Sequence, residues 1–572
     1  MRTFSDLKKN LKKDFSGLQT VRVALLGDTA TQFLNQSLRG TGFDRGFDLI
    51  IWEADFNQVE RQVFDVSSEL YAFRPELVII FHSSHALLQK YNKQEGSQSH
   101  FAETELASVQ QLCSTIRENS NAEIIFYNYT EIDDSVFGNY ANKNKSSFLF
   151  QLRKLNYELM LWASDHSGIH ISDLSSLQNQ YGSNVFFHPS VYINSSMVLS
   201  IEILPAVASR TMDIIGALYG KIKKCLILDL DNTLWGGVIG DDGIENIQVG
   251  NLGIGKAFTE FQYWIKKLQQ RGVILAVCSK NTESIAKEPF EKHPDMVLRL
   301  ADIAVFIANW ENKIDNLRQI QNTLHIGFDS MVFLDDNPFE RNMVRENIED
   351  IVVPELPEDP ADYLTYLYSL NLFETVSVSK EDSERTKQYQ VEAQRNTVQK
   401  KFANEEAFLE SLNMVSLVEP FTKFNTPRVA QLSQRSNQFN LRTVRYSETD
   451  IAQLAGSKDI FPFTFTLEDK FGDNGLICIV ILQKESGTTL FIDTWLMSCR
   501  VLKRGMEQFV LNTIAHFTAE NNFVFLKGEY IPTAKNELVK DHYQKLGFEK
   551  EGDHWLLNVQ HYIDRKSFIS KK

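Results

Sequence analysis

Residues Leu226–Gly237 read LILDLDNTLWGG, an apolar run that ends in Asp229-Leu230-Asp231-Asn232-Thr233. Two acids at alternate positions of an extended chain point to one side and repel there unless a cation or a proton separates them. A Mg2+ ion held by carboxylate, carbonyl and water oxygens is the natural separator. Taken alone, the pair also fits a strand end that caps the next turn.

The residues downstream change that balance. The run GVILAVCSKN from Gly272 puts Ser279 just past a strand end, where its hydroxyl can donate to a phosphoryl oxygen. Lys313 in NWENK can neutralise a phosphoryl group, and SMVFLDDNP from Ser330 adds Asp335 and Asp336 at another strand end. Ligands gathered at the carboxyl ends of parallel strands are what a doubly wound sheet provides.

Upstream, VRVALLG from Val21, FDLIIWEA from Phe47, ELVIIFHSS from Glu76 and AEIIFYNY from Ala122 alternate with helix-length stretches. They predict buried parallel strands in a first βαβ sheet. Downstream, VPELPEDP and then the polar run Val378–Lys401 predict a charged helix between domains. From Phe402 the pattern becomes β-rich, with FPFTFTLED, GLICIVILQ and TLFIDTWLMS. The expected fold is multidomain α/β: two doubly wound parallel-sheet domains over 1–220 and 221–375, a helical linker over 376–401, and an α+β domain over 402–572.

A chain of 572 residues has room for several domains at roughly 100 to 200 residues each. Lys plus Arg number 59 against 74 for Asp plus Glu, a net charge of -15. That is the wrong sign for general attraction to nucleic acid or anionic lipid. The five cysteines form no CxxC pair, which fits a reducing compartment better than a disulfide framework. The start, MRTFSDLKKNLKK, lacks an apolar signal core, and no segment approaches the ~20 apolar residues of a membrane helix. A cytoplasmic location is expected.

Together, Asp229 to Thr233, Ser279, Lys313 and Asp335-Asp336 resemble the four motifs of the haloacid dehalogenase (HAD) phosphotransferase superfamily. The resemblance implies that Asp229 is the nucleophile and Asp231 the general acid and base, with its carbonyl on Mg2+. It implies that Lys313 stabilises phosphoryl charge and tethers Asp229, and that Asp229, Asp231 and Asp335 or Asp336 form the metal site. The stretches KCLILDLDNTLWGGVIGDDG, AVCSKN, HPDMVLR, NWENK and FLDDNPFERNMVRENI are more specific and resemble the FkbH-like family. Some members remove phosphate from 1,3-bisphosphoglycerate and load the glyceryl unit onto an acyl carrier protein for polyketide assembly. The resemblance extends to the flanking modules.

In the C-terminal module, CRVLKRGMEQFVLNTI puts Arg500 and Gly505 before a helix, where backbone N–H groups can hold pyrophosphate. It resembles the coenzyme A loop of GNAT acyltransferases, with Lys503 at the middle glycine position. Asn536 and Tyr543 are spaced as in the GNAT signature ending YQKLGF, which implies an Asn contacting coenzyme A or acetyl-CoA and a Tyr protonating the departing thiolate. The plainer reading is a helix end capped by Gly547. In the N-terminal module, LLGDTAT and FFHPS resemble the first and last blocks of SGNH hydrolases. Thr29 stands where the nucleophilic Ser belongs and Val185 where the Asp before His188 belongs, so a degenerate docking or binding module is expected. Asp28, Asn128, His188, His82 and His85 are candidates for its cleft.

The expected function is Mg2+-dependent phosphate removal from a small phosphorylated acyl substrate, coupled to acyl transfer onto a carrier protein or thiol. The rivals are a plain phosphatase and a non-catalytic scaffold. Carrier proteins are acidic, so Lys221, Lys223 and Lys224 are the expected docking patch. Cys278 is either strand core or the thiol that takes the acyl group as a thioester. Strand alternation should turn it away from Ser279.

Overall fold

The quoted apolar runs are strands in the computed structural model, which describes residues 2–96, 98–378, 388–391, 395, 402, 404–498, 501–533 and 535–572. The first four are β1 (Gln19–Gly27), β2 (Phe47–Glu53), β3 (Leu77–Phe81) and β4 (Glu123–Tyr127), and β5 (Ile169–Ser172), absent from the quoted runs, joins them. They form an all-parallel sheet in the order β2-β1-β3-β4-β5. Every residue of β3 is buried, as a strand covered by helices on both faces requires. These elements lie in one compact unit, Met1–Ala217 with Ser447–Asp450.

The second unit comprises Leu218–Tyr446 and Ile451–Lys572 and contains two sheets. In the first, β6 (Cys225–Leu228), β7 (Ile274–Ser279), β8 (Ile303–Ala308) and β9 (Met331–Leu334) run parallel in the order β8-β7-β6-β9. Alternation divides each strand between two cores. Leu226, Leu228, Leu275, Val277, Val332 and Leu334 pack on one face. Cys225, Ile227, Ile274, Ala276, Cys278, Met331 and Phe333 pack on the other, against Ile314 and Leu317 of the helix Lys313–Leu324.

The second sheet is mixed and nine-stranded. Within it the short β10 (Met414–Ser416) and β11 (Val418–Glu419) pair with β12 (Ile460–Asp469); β12, β13 (Gly472–Lys484) and β14 (Thr489–Met497) are antiparallel neighbours, while β14 and β15 (Phe525–Glu529) are parallel. The parallel pairing covers only Thr489–Ile492 against Phe525–Gly528. Beyond it the strands part, and residues 439–441 fill the gap. Leu441 N donates to Trp495 O at 3.2 Å, Met497 N to Phe439 O at 3.0 Å and Ile531 N to Leu441 O at 2.9 Å. Arg442 closes the wedge, with bonds of 2.7 Å to Asp493 and 2.8 Å to Glu529. Of the expected linker helix, most lies outside the described residues, and Gln388–Val391 is helical. Among the described residues no helix is long and apolar enough to cross a membrane.

Candidate active site

Parity along the strands explains the placing of the acids. Asp229 and Asp335 each follow the last residue of their strand and continue the side taken by Ile227 and Phe333, the side on which the helix Lys313–Leu324 begins. Lys313 is buried there, with Nζ 2.9 Å from Asp229 Oδ2 and 2.6 Å from Asp335 Oδ2. Burial alone would push the ammonium pKa down, but the charges of Asp229 and Asp335 outweigh it and hold the pKa above the lysine range. Burial, then the Asp229 charge, push the carboxyl of Asp335 up, with Lys313 pulling the other way. Asp336 is raised for the same first two reasons.

Carboxylate oxygens of Asp229, Asp335 and Asp336 lie within 4.8 Å of one another. Asp229 Oδ1 is buried without a hydrogen-bond partner. A buried carboxylate oxygen is costly to leave unmet, and a hard cation among three carboxylates would meet it, so the residues fit Mg2+. Local bonds fix the donors. Asp335 Oδ1 accepts from Asn337 N at 2.9 Å, and Asp336 N donates to Thr233 Oγ1 at 3.1 Å. Arg341, which sequence reasoning missed, is buried and donates to the carbonyls of Asp335 at 2.8 Å and Asp336 at 2.6 Å.

Asp231 corrects one expectation, the crowding of the two alternate acids, because its carboxylate is not in that cluster; the carbonyl contact implied by the resemblance is unaffected. Oδ1 accepts from Trp235 Nε1 and Ile239 N, both at 3.0 Å, and Oδ2 accepts from Asn281 Nδ2 at 2.8 Å. The turn that wraps the side chain uses Asn232 at φ 53° and Gly237 at φ 94°, the latter a backbone position suited to glycine. Asn281 also donates to Ser279 Oγ at 3.3 Å, so one amide links the two motif residues. Trp235 and Asn281 were missed as site residues, although both sit inside the motif stretches.

Cys278 is a second correction. It belongs to the opposite face from Ser279, is fully buried, and lies with Sγ 3.8 Å from Lys313 O. Burial pushes its thiol pKa far up, which disfavours the thiolate that acyl capture needs. The lysine patch is also spent internally in part: Lys223 Nζ donates to Asp329 O at 2.5 Å and Lys224 Nζ to Arg435 O at 3.0 Å.

In the C-terminal domain the expected cofactor groups differ in what they are free to do. Arg500 lies outside the described residues. Lys503 is exposed at φ 62°, and Gly505 at φ 74° is the N-cap of the helix Met506–Glu520. Asn536 spends its amide on the wedge: Nδ2 donates to Asn440 O and Ile531 O, both at 2.9 Å, and Oδ1 accepts from Thr533 N at 2.8 Å. Tyr543 is buried, with its hydroxyl unpartnered. Its ring lies against Gly528, where an added Cβ would fall 2.3 Å from Tyr543 Cζ. The Asn536 amide is thus committed within the chain, contrary to the cofactor contact the GNAT resemblance implied, while the Tyr543 hydroxyl is uncommitted.

In the first unit the Thr29 hydroxyl donates to Ser196 O, and Asp28 accepts from Ser83 N at 2.9 Å. Asn128 donates to Asp173 at 2.8 Å, and His188 lies 3.4 Å from Glu202. Val185 supplies no acid to His188, and the carboxylate that faces the imidazole is that of Glu202.

Residues 22–216 match the family model described as FkbH, N-terminal domain. The N-terminal part of protein BF1531 from Bacteroides fragilis, which contains a phosphatase domain and was crystallised with Mg, is 58% identical. The match covers 66% of this chain and 100% of that one, with a TM-score of 0.64. The ribosomal-protein-S18-alanine N-acetyltransferase of Escherichia coli is 13% identical over 27% of this chain and 99% of its own, with a TM-score of 0.21. The spermidine N-acetyltransferase of Vibrio cholerae, solved with CoA and spermine, is 12% identical over 25% of this chain and 95% of its own, also at 0.21. Likenesses this slight carry no argument. No curated protein matches the chain. With a relative 58% identical matched over its entire length, this chain belongs to the FkbH family of HAD-like enzymes.

Proposed function

We propose that the chain is a Mg2+-dependent phosphotransferase that removes phosphate from an acyl phosphate such as 1,3-bisphosphoglycerate and passes the glyceryl unit to the thiol of an acyl carrier protein. The observation that carries the reading is the orphaned Asp229 oxygen beside Asp335, Asp336 and Lys313. Asp229, Asp335 and Asp336 would hold the ion, together with the carbonyl of Asp231. When bound, Mg2+ neutralises the crowded carboxylates and stabilises developing charge on the phosphoryl oxygens.

Asp229 attacks the phosphorus of the substrate's phosphate ester, leaving the acyl phosphate intact, and an O–P bond forms as the bond to the ester oxygen breaks. Asp231, held by Trp235, Ile239 and Asn281, gives that oxygen a proton and later takes one from the water that cleaves the aspartyl phosphate. Lys313 and Ser279 bind phosphoryl oxygens. Acyl transfer is a separate displacement: the carrier thiol attacks the acyl carbonyl, a C–S bond forms and phosphate departs. Because Cys278 is buried, that displacement is direct rather than through an enzyme thioester. The same burial favours the second reading, a plain phosphatase. In the C-terminal domain we assign coenzyme A only a weak contact at the N-terminus of the helix Met506–Glu520, since residues 439–441 fill the cleft between β14 and β15.

The test supplies 1,3-bisphosphoglycerate made in situ, Mg2+ and a holo acyl carrier protein, with intact-mass detection. Glyceryl loading of the carrier together with phosphate release supports the proposal. Phosphate release alone gives first place to the plain phosphatase, and neither event leaves the scaffold.

A further inference from the structure

The first unit contains a cavity of about 340 Å³ at the carboxyl ends of β3 and β4, overlain by residues 183–189 and 198–199. Its walls are largely carbon, including Phe81, Ile132, Leu174, Phe186, Phe187 and Leu199. Among the described lining residues there is no lysine or arginine; Asp133 adds negative charge, while Glu131 is paired with Arg153 at 2.7 Å. Most of its polar side chains are spent locally. Ser84 Oγ donates to Thr130 O at 2.7 Å, and Asn128 pairs with Asp173. Gln178 accepts from Glu131 N at 2.7 Å and donates to Glu131 O at 3.0 Å.

Two imidazoles are the exception. His82 and His85 line the cavity, and neither has a hydrogen-bond partner among the described residues. Ring contacts hold them instead: His85 stacks on Phe187 at 4.1 Å and 24°, and His82 stands edge-on to Phe126 at 5.9 Å. Burial pushes both down to about 4, so near neutral pH each is an uncharged ring with one N–H and one lone pair.

We propose that this cavity binds a small uncharged molecule with a ring-sized apolar body and a carbonyl or hydroxyl group that hydrogen-bonds to His82 or His85. The volume lies at the lower end of the roughly 300–1,000 Å³ typical of small-molecule sites. Apolar walls reward burial of the body, and the two partly exposed imidazoles, which have no protein partner among the described residues, can exchange water for a hydrogen bond to the ligand. With no cation among the described lining residues and Asp133 at the edge, the cavity offers phosphate or carboxylate no counter-charge. The ligand class therefore differs from the phosphorylated substrate of the acid cluster, and the inference does not rest on that reading.

The experiment is saturation-transfer NMR on the full chain at neutral pH with three probes of similar shape: acetophenone, ethylbenzene and phenyl phosphate. Acetophenone is expected to bind at least about tenfold more tightly than phenyl phosphate. Its advantage over ethylbenzene should disappear in His82→Phe or His85→Phe, which keep a ring but remove the hydrogen-bonding nitrogens. Ile132→Trp, at a partly buried loop position on the cavity wall, should fill the cavity and abolish binding. No transfer to acetophenone would mean that the cavity holds only water. Equal binding of phenyl phosphate, an unaffected Ile132→Trp variant, or an undiminished acetophenone preference in both histidine variants would each overturn the proposal.

Discussion

The ammonium of Lys313 lies 2.9 Å from Oδ2 of Asp229, and the other oxygen of the same carboxylate is buried and unpartnered. One oxygen is thus oriented by a fixed cation while the other is left for a reacting or metal-bound group. Asp229→Asn keeps the volume but removes the nucleophile and one charge of the metal site. Phosphate release should fall by about three orders of magnitude or more, with the far-ultraviolet dichroism of the wild type retained. Near-normal turnover by the purified variant would remove Asp229 from the nucleophile's role.

Lys313 is also the protein's own counterion for Asp229 and Asp335, whose side chains are almost wholly buried. Lys313→Met leaves two carboxylates facing each other, and breaking a buried pair in this way costs about 3–5 kcal/mol. Mg2+ can replace part of the lost charge. The variant should therefore melt well below the wild type in EDTA and recover more than the wild type does when Mg2+ is added. Equal Mg2+ increments in the two proteins would show that the ion does not bind among these carboxylates.

Asp28 supplies a pH dependence. Burial pushes its carboxyl from 3.8 up to about 6, against the opposing bond from Ser83 N. Between those values the native state holds more protons than the unfolded state, so stability from this group is fully present below about pH 4 and is lost as pH rises through 6. At one pKa unit per 1.36 kcal/mol, the loss at pH 7 is at most about 3 kcal/mol. Asp28→Asn can still accept from Ser83 and cannot ionise. It should stabilise the chain by about 1–3 kcal/mol at pH 7 and by almost nothing at pH 4. A denaturant-melt difference that is the same at both pH values would refute the assignment.

Most strands of the first two sheets were legible because continuous apolar runs bounded by turn residues have few other uses in a covered parallel sheet, whereas the edge strands β5 and β8 were missed. The acids and Lys313 were legible for a related reason, since charged residues at strand ends have nowhere to go but the sheet's edge. Alternation even foretold that Cys278 would face away from Ser279. What the sequence hid were contacts between distant positions. Asn281 holds Asp231 across 50 residues, Tyr363 reaches the carbonyl of Asn232 across 131, and Asn536 gives its amide to Asn440 across 96. A motif records residue type and spacing, and Asn536 has both. It does not record that the same amide is already committed to a wedge inserted from elsewhere in the chain.

That wedge decides the last prediction, which concerns Lys503. At φ 62° it occupies the left-handed region, which costs an L-residue roughly 1–2 kcal/mol. Glycine avoids the strain but loses about 0.5–1 kcal/mol of its own in backbone entropy. Lys503→Gly should therefore stabilise the chain by about 0.5–1 kcal/mol, measured as a shift in denaturant midpoint at constant slope. Glycine also lets backbone N–H groups approach a pyrophosphate at the start of the helix Met506–Glu520, so coenzyme A should bind more tightly. The gain is bounded, because residues 439–441 still fill the gap between β14 and β15 and Asn536 still holds them there. Calorimetry on the full chain should show weak binding by the natural protein and an improvement of no more than about tenfold in the variant. Looser binding by the glycine form would mean that the Lys503 ammonium, rather than the backbone, attracts the pyrophosphate. Tight binding by the natural protein would mean that the wedge leaves the cleft when the cofactor arrives.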